Sequence, residues 1–276
     1  GGNTPCLEIE VGGRKIIVDA GTGIRRLGES LVRGAKLDLD LVFTHYHWDH
    51  IQGFPFFWPL YDRNTTLRVH GLATPEWTPR EALAHHMERP VFPVSMSQLP
   101  SKIYFSAVKP GRTIDLGDLT IYTAPNLHPG GCLGLRVEYK GWVFVHLTDN
   151  ECPPAGVGFH LPSLDLARDA DVVSFDTTFT EDEYHGRVDG VSRVGWGHAT
   201  DEHGVQFGLE CGTKHFLLFH HAPEHDDNFL DGMARRARDT WKRARMAVDG
   251  LEIIFPEEGP RRPRFIYPPG TRPRLK

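Results

Sequence analysis

The sequence predicts an α/β (α+β) fold in which strand hairpins, helices and single strands follow one another. Short apolar runs are bounded by glycine turns, which is typical of buried strands. The order hairpin, helix, strand occurs twice, which indicates one domain built of two similar halves. Hydrophobic residues make up 39% and charged residues 24% of the 276 residues, so the composition excludes intrinsic disorder and a collagen-like architecture.

The first half begins with a predicted β-hairpin, in which Cys6–Val11 and Lys15–Val18 flank a Gly12-Gly13 turn. A helix is predicted over Ile24–Arg33, followed by strands at Leu39–Thr44 and Leu67–His70. Thr78-Pro79-Arg80-Glu81 is a capping box with proline at the first helical position, so it predicts a helix that ends near Met87.

The second half contains more strands than helices. Residues 88–101 are rich in proline and serine and are expected to be irregular. The predicted strands are Ile103–Val108, Leu119–Thr123, Leu133–Tyr139, Trp142–Leu147, Val172–Phe175, Phe216–Phe219 and Ile253–Phe255, the last closing the core. Helices are predicted over Asp201–Glu210 and Asp227–Val248. No linker is evident before residue 256, so we predict a single domain over residues 1–255 and an extended, Pro- and Arg-rich tail over 256–276.

The composition also indicates the class of protein. Sixteen residues are histidine, roughly two to three times the usual share, which favours a metal protein. The four cysteines, Cys6, Cys132, Cys152 and Cys211, form no CxxC pair and are predicted to be reduced thiols in a cytoplasmic protein. No apolar run approaches the ~18 residues of a membrane span. The chain begins at Gly1 without methionine, so we expect a segment upstream of it to have been removed.

The strongest motif is His45-Tyr46-His47-Trp48-Asp49-His50, which directly follows an apolar strand. His45 and His47 lie two residues apart at the strand end, so their rings are expected to point to one face. Asp49 and His50 begin the next turn of the chain. Four metal-type ligands within six residues suit a pair of metals that share one pocket. A surface histidine cluster is the alternative.

This HxHxDH motif after a buried strand resembles that of the metallo-β-lactamase superfamily. The resemblance covers about residues 5–255 and implies a four-layer αββα sandwich with a dinuclear metal site at its edge. The remaining family motifs match, in order, Asp19, His128, Asp149 and His220. Asp19 is expected to be structural, and His221 is a rival to His220.

The resemblance implies two divalent metal ions, with zinc expected and manganese or iron as alternatives. The implied ligands are His45, His47 and His128 at one metal and Asp49, His50 and His220 at the other, with Asp149 shared. A hydroxide that bridges two cations is a strong nucleophile near neutral pH, because metal binding lowers the pKa of water to about 7.

Two further segments resemble the ribonuclease Z-like branch of this superfamily. Asp176 follows a predicted strand, and His198 lies in Gly197-His198-Ala199-Thr200. In that branch a carboxylate and a histidine serve proton transfer to the leaving oxygen, although here Asp replaces the usual Glu and Ala199 replaces Ser. We therefore expect Asp49, His198 and Asp176 to be catalytic. The alternative role for His198 is to cap the following helix.

The resemblance favours a phosphodiesterase that acts on a small nucleotide or a related phosphodiester. The tRNA-binding arm of ribonuclease Z is expected to be a long insertion rich in glycine and proline. The segment 151–170 is short and not basic, so tRNA 3′ processing is not expected. The segment from His220 to Asp227 is similar to that of small phosphodiesterase members. Those members generally carry a strand before the equivalent of Gly1, so part of the first sheet is expected to be missing from this chain.

The charge is uneven along the chain. Residues 1–232 contain 19 basic and 31 acidic residues, whereas residues 233–276 contain 12 and 5. The basic residues are Arg235, Arg236, Arg238, Lys242, Arg243 and Arg245 in the last predicted helix and Arg261, Arg262, Arg264, Arg272, Arg274 and Lys276 in the tail. A solvated helix face is favoured over a phosphate-attracting surface, because few aromatic residues are interleaved.

Two other functions stay open. One is a β-lactamase, lactonase or thioesterase of the same fold, because metals alone do not select a substrate. The other is a non-catalytic nucleic-acid-binding or partner-binding module, against which the complete ligand set argues. The expected partner is a small phosphodiester substrate. No membrane association is expected, binding of nucleic acid is not favoured, and a homodimer is left open.

Overall fold

The computed structural model describes residues 2–117, 119–153, 157–258 and 262–271. Its contacts divide the chain into two compact units, which we call the N-terminal unit (Asn3–Ile114) and the C-terminal unit (Asp115–Lys276). Each unit contains a sheet with helices and its own hydrophobic core. The predicted mixture of strands and helices is therefore confirmed.

The N-terminal unit contains a five-stranded sheet in the order β1-β2-β3-β4-β5. The strands are β1 (Leu7–Val11), β2 (Arg14–Val18), β3 (Leu37–Phe43), β4 (Thr65–Leu72) and β5 (Lys102–Val108). The first two strands form the predicted antiparallel hairpin, and the other neighbours are parallel. Gly12 and Gly13 both have positive φ, which glycine adopts at little cost in a tight turn.

Three short α-helices accompany this sheet: α1 (Gly23–Ser30), α2 (Trp48–Ile51) and α3 (Pro79–His86). The predicted capping box is present, since the Thr78 side chain accepts from the Glu81 backbone and the Glu81 side chain accepts from the Thr78 backbone. The helix expected to reach Arg33 ends at Ser30, where Leu31 turns to an extended conformation. Residues 88–101 are mostly irregular, as expected, with one 3-10 turn at Met96–Gln98.

The C-terminal unit is built on a seven-stranded sheet in the order β12-β11-β10-β9-β8-β7-β6. Its strands are β6 (Thr113–Asp115), β7 (Thr120–Pro125), β8 (Leu133–Tyr139), β9 (Trp142–Leu147), β10 (Val172–Asp176), β11 (Phe216–Phe219) and β12 (Ala244–Met246). Strands β9 to β12 are parallel, so the ends of β9, β10 and β11 meet at one edge of the sheet. Polar residues directly after these strands are therefore brought together.

Four helices belong to the described part of this unit: α4 (Leu161–Ala167), α5 (Glu181–Tyr184), α6 (Asp201–Glu210) and α7 (Asp227–Thr240). Helix α6 has its predicted bounds. Helices α4 and α5 were not predicted from the sequence, because each has at most seven residues and is too short to show a helical period.

The predicted helix Asp227–Val248 is wrong in its last third. Helix α7 ends at Thr240, and Trp241 has an extended backbone. The chain then forms β12, in which Ala244 lies opposite Phe216 of β11. Burial of Ala244 and Met246 against the sheet outweighs the helical preference of this basic, alanine-containing segment.

The predicted strand Ile253–Phe255 is shifted by one residue, and the Phe255 ring packs on those of Trp142 and Phe144 in β9. Within the described residues, Glu252–Ile254 form β13, which pairs with β14 (Arg264–Ile266) in an antiparallel two-stranded sheet. Strand β14 lies within the segment predicted as an extended tail, so part of that segment is folded. Residues 259–261 and 272–276 of this segment, and Pro154–Gly156, lie outside the described residues.

The four cysteines are free thiols, as predicted. Burial raises the pKa of the Cys211 thiol to about 11, so this thiol stays protonated and unreactive at neutral pH. Within the described ranges, no helix has the length and apolar character that a membrane crossing requires.

Candidate metal centre

The HxHxDH segment of the N-terminal unit clusters its imidazole rings. The buried strand β3 ends at Phe43, and the chain then passes through His45 and His47 into the single turn of α2. The centroid of the His45 ring lies 4.6 Å from that of His47 and 4.3 Å from that of His50. His45 and His50 are buried, at 2% and 0% exposure. Three ligand-type side chains from six residues thus meet at one end of the sheet.

Asp19 supports this cluster from the end of the neighbouring strand β2. Its Oδ1 accepts from the backbone N–H of Thr44, and its Oδ2 accepts from the Thr44 hydroxyl and from Nδ1 of His50, each at 2.8 Å. Because Nδ1 of His50 donates to a carboxylate, the tautomer is fixed and the lone pair lies on Nε2. The structural role expected for Asp19 is confirmed.

The loop after Asp19 lies close to Asp49. A Cβ atom at Gly21 would stand 2.4 Å from Oγ1 of Thr4 and 2.5 Å from the Asp49 carbonyl oxygen, so only glycine fits there. The Asp49 carboxylate is partly exposed, and its Oδ2 lies 3.2 Å from Nε2 of His50. Asp49 therefore joins the histidine cluster of the N-terminal unit.

In the C-terminal unit, Asp149 is the centre of a second cluster. It follows β9 with a positive φ of 50°, and its Oδ2 accepts from the Thr148 hydroxyl at 2.6 Å. Nε2 of His220 lies 3.3 Å from the same oxygen, and Nε2 of His128 lies 3.8 Å from Oδ1. The structure thus places His128, Asp149 and His220 together, as the sequence predicted.

Each of these two histidines is oriented through its other ring nitrogen. Nδ1 of His128 donates to the Gly197 carbonyl oxygen at 3.0 Å. Nδ1 of His220 lies 3.1 Å from the Thr178 hydroxyl. In both rings the second hydrogen bond directs Nε2 towards Asp149, which is the arrangement by which proteins orient metal-ligating imidazoles.

The rival residue His221 points elsewhere. Its Nε2 donates to the Ala247 carbonyl oxygen at 3.1 Å, and burial lowers its pKa to about 4. It is therefore a neutral, packed histidine, and His220 is the one that faces Asp149.

His198 and Asp176 form a close pair beside the Asp149 cluster. Nδ1 of His198 lies 2.7 Å from Oδ2 of the fully buried Asp176. The His198 ring stacks on that of His220, with centroids 5.0 Å apart. Asp149, Asp176, His198 and His220 can each offer one ligand atom within 4.8 Å of the others. His198 does not cap helix α6, because Thr200 occupies the cap and accepts from the His203 backbone.

Thr178 connects the two parts of this cluster. Its hydroxyl oxygen lies 2.8 Å from Oδ1 of Asp176, 2.7 Å from the carbonyl oxygen of His220 and 3.1 Å from its ring nitrogen. No role was predicted for Thr178 from the sequence, although its place two residues after Asp176 is a local signal.

Sequence reasoning also missed Asn150 and Glu151, both buried directly after Asp149. Oδ1 of Asn150 accepts from the backbone of Leu127 at 2.8 Å, next to His128. Glu151 accepts from backbone groups next to His198. The signal in the sequence was a run of polar residues immediately after an apolar strand.

Several histidines lie outside both clusters. His85 is exposed and packs on Trp77, whereas His86 is half-buried with a pKa lowered by burial. His70 lies 3.4 Å from the buried carboxylate of Asp40. Burial alone would raise the pKa of Asp40, but hydrogen bonds from His70 and two arginines outweigh it and hold that pKa well below its usual range.

The basic residues predicted to share one helix are divided among several elements. Arg235, Arg236 and Arg238 belong to α7, whereas Arg245 lies in β12. Arg236 pairs with buried Asp201 at 2.7 Å. The Arg245 guanidinium lies 4.3 Å from the centroid of the Phe265 ring, and burial lowers its pKa. These two arginines therefore have structural contacts.

The donor sets suit divalent metal ions. Each unit offers imidazole nitrogens beside carboxylate oxygens, which zinc, manganese and iron all accept. The Nδ1 atoms of His50, His128 and His220 are each engaged by an oxygen, so Nε2 is the donor atom available in each ring. The two clusters thus fit the ligand chemistry that the sequence resemblance implies.

A model described as a beta-lactamase superfamily domain matches residues 14–221, and the chain belongs to this superfamily. Its members are generally metal-dependent hydrolases. No curated protein sequence matches the chain.

Solved structures confirm the metallo-β-lactamase fold. The metallo-β-lactamase fold protein YhfI from Bacillus subtilis superposes with a TM-score of 0.66 at 18% identity and covers 90% of both chains. A diphosphatase of the PhnP family superposes with a TM-score of 0.63 at 17% identity, over 90% of this chain and 83% of that one. The short form of human tRNase Z superposes with a TM-score of 0.59 at 16% identity, over 79% of this chain and 86% of that one. These likenesses establish the predicted fold class.

Proposed function

We propose that this protein is a metal-dependent phosphodiesterase that hydrolyses a small nucleotide or a related phosphodiester. The proposal includes a dinuclear centre, with zinc as the expected metal, held by the seven residues of the two clusters. Ligands His45, His47, Asp49 and His50 come from the N-terminal unit, and His128, Asp149 and His220 come from the C-terminal unit. The resemblance to the family implies that both clusters hold the same pair of ions.

The observation that carries the phosphodiesterase proposal is the His198–Asp176 pair. A phosphodiester with an alkoxide leaving group needs a proton on the departing oxygen, whereas an acyl transfer with an activated leaving group does not. His198 stacks on His220 and bonds to a fully buried carboxylate. It is thus placed beside the predicted metal ligands without being needed as one.

The residues of the chain can be given separate roles. Metals in such a centre lower the pKa of water to about 7 and so supply a nucleophile at neutral pH. Asp176 accepts from Nδ1 of His198, so this ring nitrogen is engaged by the carboxylate. The proton available to a leaving oxygen is therefore the one on Nε2. Thr178 and the Ala199 backbone donate to Oδ1 of Asp176, which fixes the carboxylate.

Two relatives agree with this class of substrate. One similar structure is a diphosphatase and another is a tRNase Z, and both names refer to phosphate chemistry. We do not assign tRNA as the substrate, because the segment 151–170 is short and contains few basic residues. A cytoplasmic location is inferred from the four unpaired thiols.

A substrate panel combined with metal analysis tests the proposal. We expect about two metal ions per chain, and we expect bis-p-nitrophenyl phosphate to be hydrolysed faster than nitrocefin, lactones or thioesters. A chelator should abolish turnover, and zinc or manganese should restore it. Full activity of metal-free protein would overturn the metal assignment. Preferred turnover of nitrocefin or a lactone would support another hydrolase of this fold instead.

The non-catalytic alternative has its own outcome in the same experiment. A module that binds nucleic acid would show salt-dependent affinity without turnover of any ester. Nothing in the described clusters favours it, because a buried His–Asp pair has no evident use in a surface that only binds phosphate.

A further inference from the structure

Glu151 holds the loop that carries His198. This residue lies two positions after Asp149 and is 7% exposed. Its Oε1 accepts from the backbone N–H of Gly195 at 2.7 Å, and its Oε2 accepts from that of Gly197 at 2.9 Å. The hydroxyl of fully buried Tyr184 also donates to Oε1. Both oxygens of one buried carboxylate are therefore occupied by donors, two of them on a single loop.

The same loop contacts a predicted metal ligand. The Gly197 carbonyl oxygen accepts from Nδ1 of His128, and a Cβ atom at Gly197 would stand 2.1 Å from that nitrogen. The backbone N–H of Glu151 donates to the Leu127 carbonyl oxygen at 2.9 Å. Glu151 thus fixes the peptide on one side of His128 and the loop on the other.

This loop would be poorly defined without such a partner. Gly195 and Gly197 have φ values of 85° and 92°, which only glycine adopts readily, and glycine loses more conformational entropy on ordering than any other residue. Charge-assisted hydrogen bonds from both glycines to one carboxylate compensate for that loss. His198 directly follows Gly197 in the chain, so its backbone is fixed together with this loop.

We propose that Glu151 is a positioning residue that orients His198 towards the leaving group of the substrate. Its role in turnover rests on the phosphodiesterase function proposed above, whereas its hold on the loop does not. Burial and the hydrogen bond to Glu151 raise the pKa of Tyr184, so this hydroxyl remains a donor throughout the neutral range.

Amide hydrogen exchange of the metal-loaded protein measures the hold on the loop directly. In Glu151→Gln, one acceptor oxygen becomes an NH2 donor, so the Gly195 and Gly197 amides cannot both stay bonded. We expect exchange at these amides to accelerate roughly 10- to 100-fold. Asp171→Asn is the matched control, because Asp171 is buried in the same unit and bonds to Lys214 and Val143 instead. Unchanged exchange in Glu151→Gln would overturn the proposal.

Turnover of two ester types then tests the link to His198. Glu151→Gln should keep its metals, lose roughly 10- to 100-fold on an alkyl phosphodiester, and lose less than about threefold on a p-nitrophenyl ester, whose leaving group needs no proton. In a His198→Ala background, the same substitution should have little further effect on the alkyl ester. Additive losses would mean that Glu151 acts independently of His198.

The outcomes separate this proposal from the proposed function. If Glu151→Gln accelerates amide exchange but the wild type has no phosphodiesterase activity, the role of Glu151 in ordering the loop stands and the proposed function fails. If the wild type is active but Glu151→Gln leaves amide exchange unchanged, the proposed function stands and the role of Glu151 fails. If Glu151→Gln fails to fold, Glu151→Asp retains the charge but is one methylene too short to reach both amides, and intermediate effects are expected in both measurements.

Discussion

The two clusters of predicted metal ligands differ in how they are built. In the N-terminal unit, His45, His47 and His50 come from six consecutive residues, and one carboxylate, Asp19, supports them. In the C-terminal unit, each ligand comes from a separate loop and has its own hydrogen-bond partner. The contiguous motif thus shares one carboxylate, which bonds to Thr44 and His50, whereas each ligand of the dispersed cluster bonds to a different residue.

This difference makes the two units sensitive to mutation in different ways. Loss of Asp19 should disturb several groups at once, because it holds both the Thr44 backbone and the His50 ring. Loss of Thr178 in the C-terminal unit should disturb only His220 and Asp176. The predictions below test this contrast, beginning with a predicted ligand.

Asp149→Ala should have the largest effect. Its carboxylate lies within 3.3 Å of His220 and 3.8 Å of His128, and it is the predicted ligand shared by both metals. We expect loss of at least one metal per chain and a fall in kcat/KM of at least ~10⁴-fold on every substrate. Metal analysis beside a phosphodiesterase assay provides the check. Asp171→Asn, a buried carboxylate outside the cluster, should keep both metals and activity.

The sequence predicted the clusters better than their supports. The HxHxDH motif is readable because local geometry alone brings its members together. His128, Asp149 and His220 were found through the ordered motifs of the resembled family, which the local sequence alone does not bring together. Glu151 was missed because its partners are backbone amides more than forty residues away, and no residue type in the sequence signals a backbone donor.

The errors in the fold have the same origin. The helix predicted to Val248 ends at Thr240 because residues 244–246 pair with β11, and that pairing is a long-range contact. Strand β13 was predicted one residue too late, because its pairing with β14 is also a contact that the local sequence does not show. The strands β8 and β9 had their predicted bounds, since apolar runs bounded by glycine turns are local signals.

His198→Ala should show the next largest effect, and the effect should depend on the substrate. His198 is not a ligand in the proposed centre, so both metals should remain bound. We expect a loss of ~10²–10⁴-fold on alkyl phosphodiesters and a small loss on p-nitrophenyl esters. Asp176→Ala should give the same pattern at lower magnitude. Equal losses on both ester types would show that His198 only positions the substrate or the loop.

Asp19→Asn tests the carboxylate that supports the N-terminal cluster. The amide can accept from the Thr44 backbone but places an NH2 group where the Thr44 hydroxyl and Nδ1 of His50 donate. We expect metal affinity to fall about 10- to 100-fold, measured by competition with a chelator. Asp40→Asn is the control, because Asp40 is an equally buried carboxylate of the same sheet whose partners are Arg14, Arg68 and His70. It should lower stability without changing metal affinity, and equal affinity losses in both variants would refute the special role of Asp19.

Thr178→Val should give the smallest effect, because it removes one of several supports in the C-terminal cluster. The shape is retained, but the hydroxyl that contacts Asp176 and His220 is lost. Since Asp176 still accepts from two backbone amides, we expect metal affinity and kcat/KM to fall only about 3- to 10-fold. Thr177→Val is a matched control, since Thr177 is the buried neighbour whose hydroxyl donates only to the Phe219 carbonyl oxygen at 3.3 Å. If Thr178→Val lowered metal affinity as far as Asp19→Asn does, the C-terminal cluster would depend on one residue as strongly as the N-terminal cluster does, and the contrast between the two units would fail.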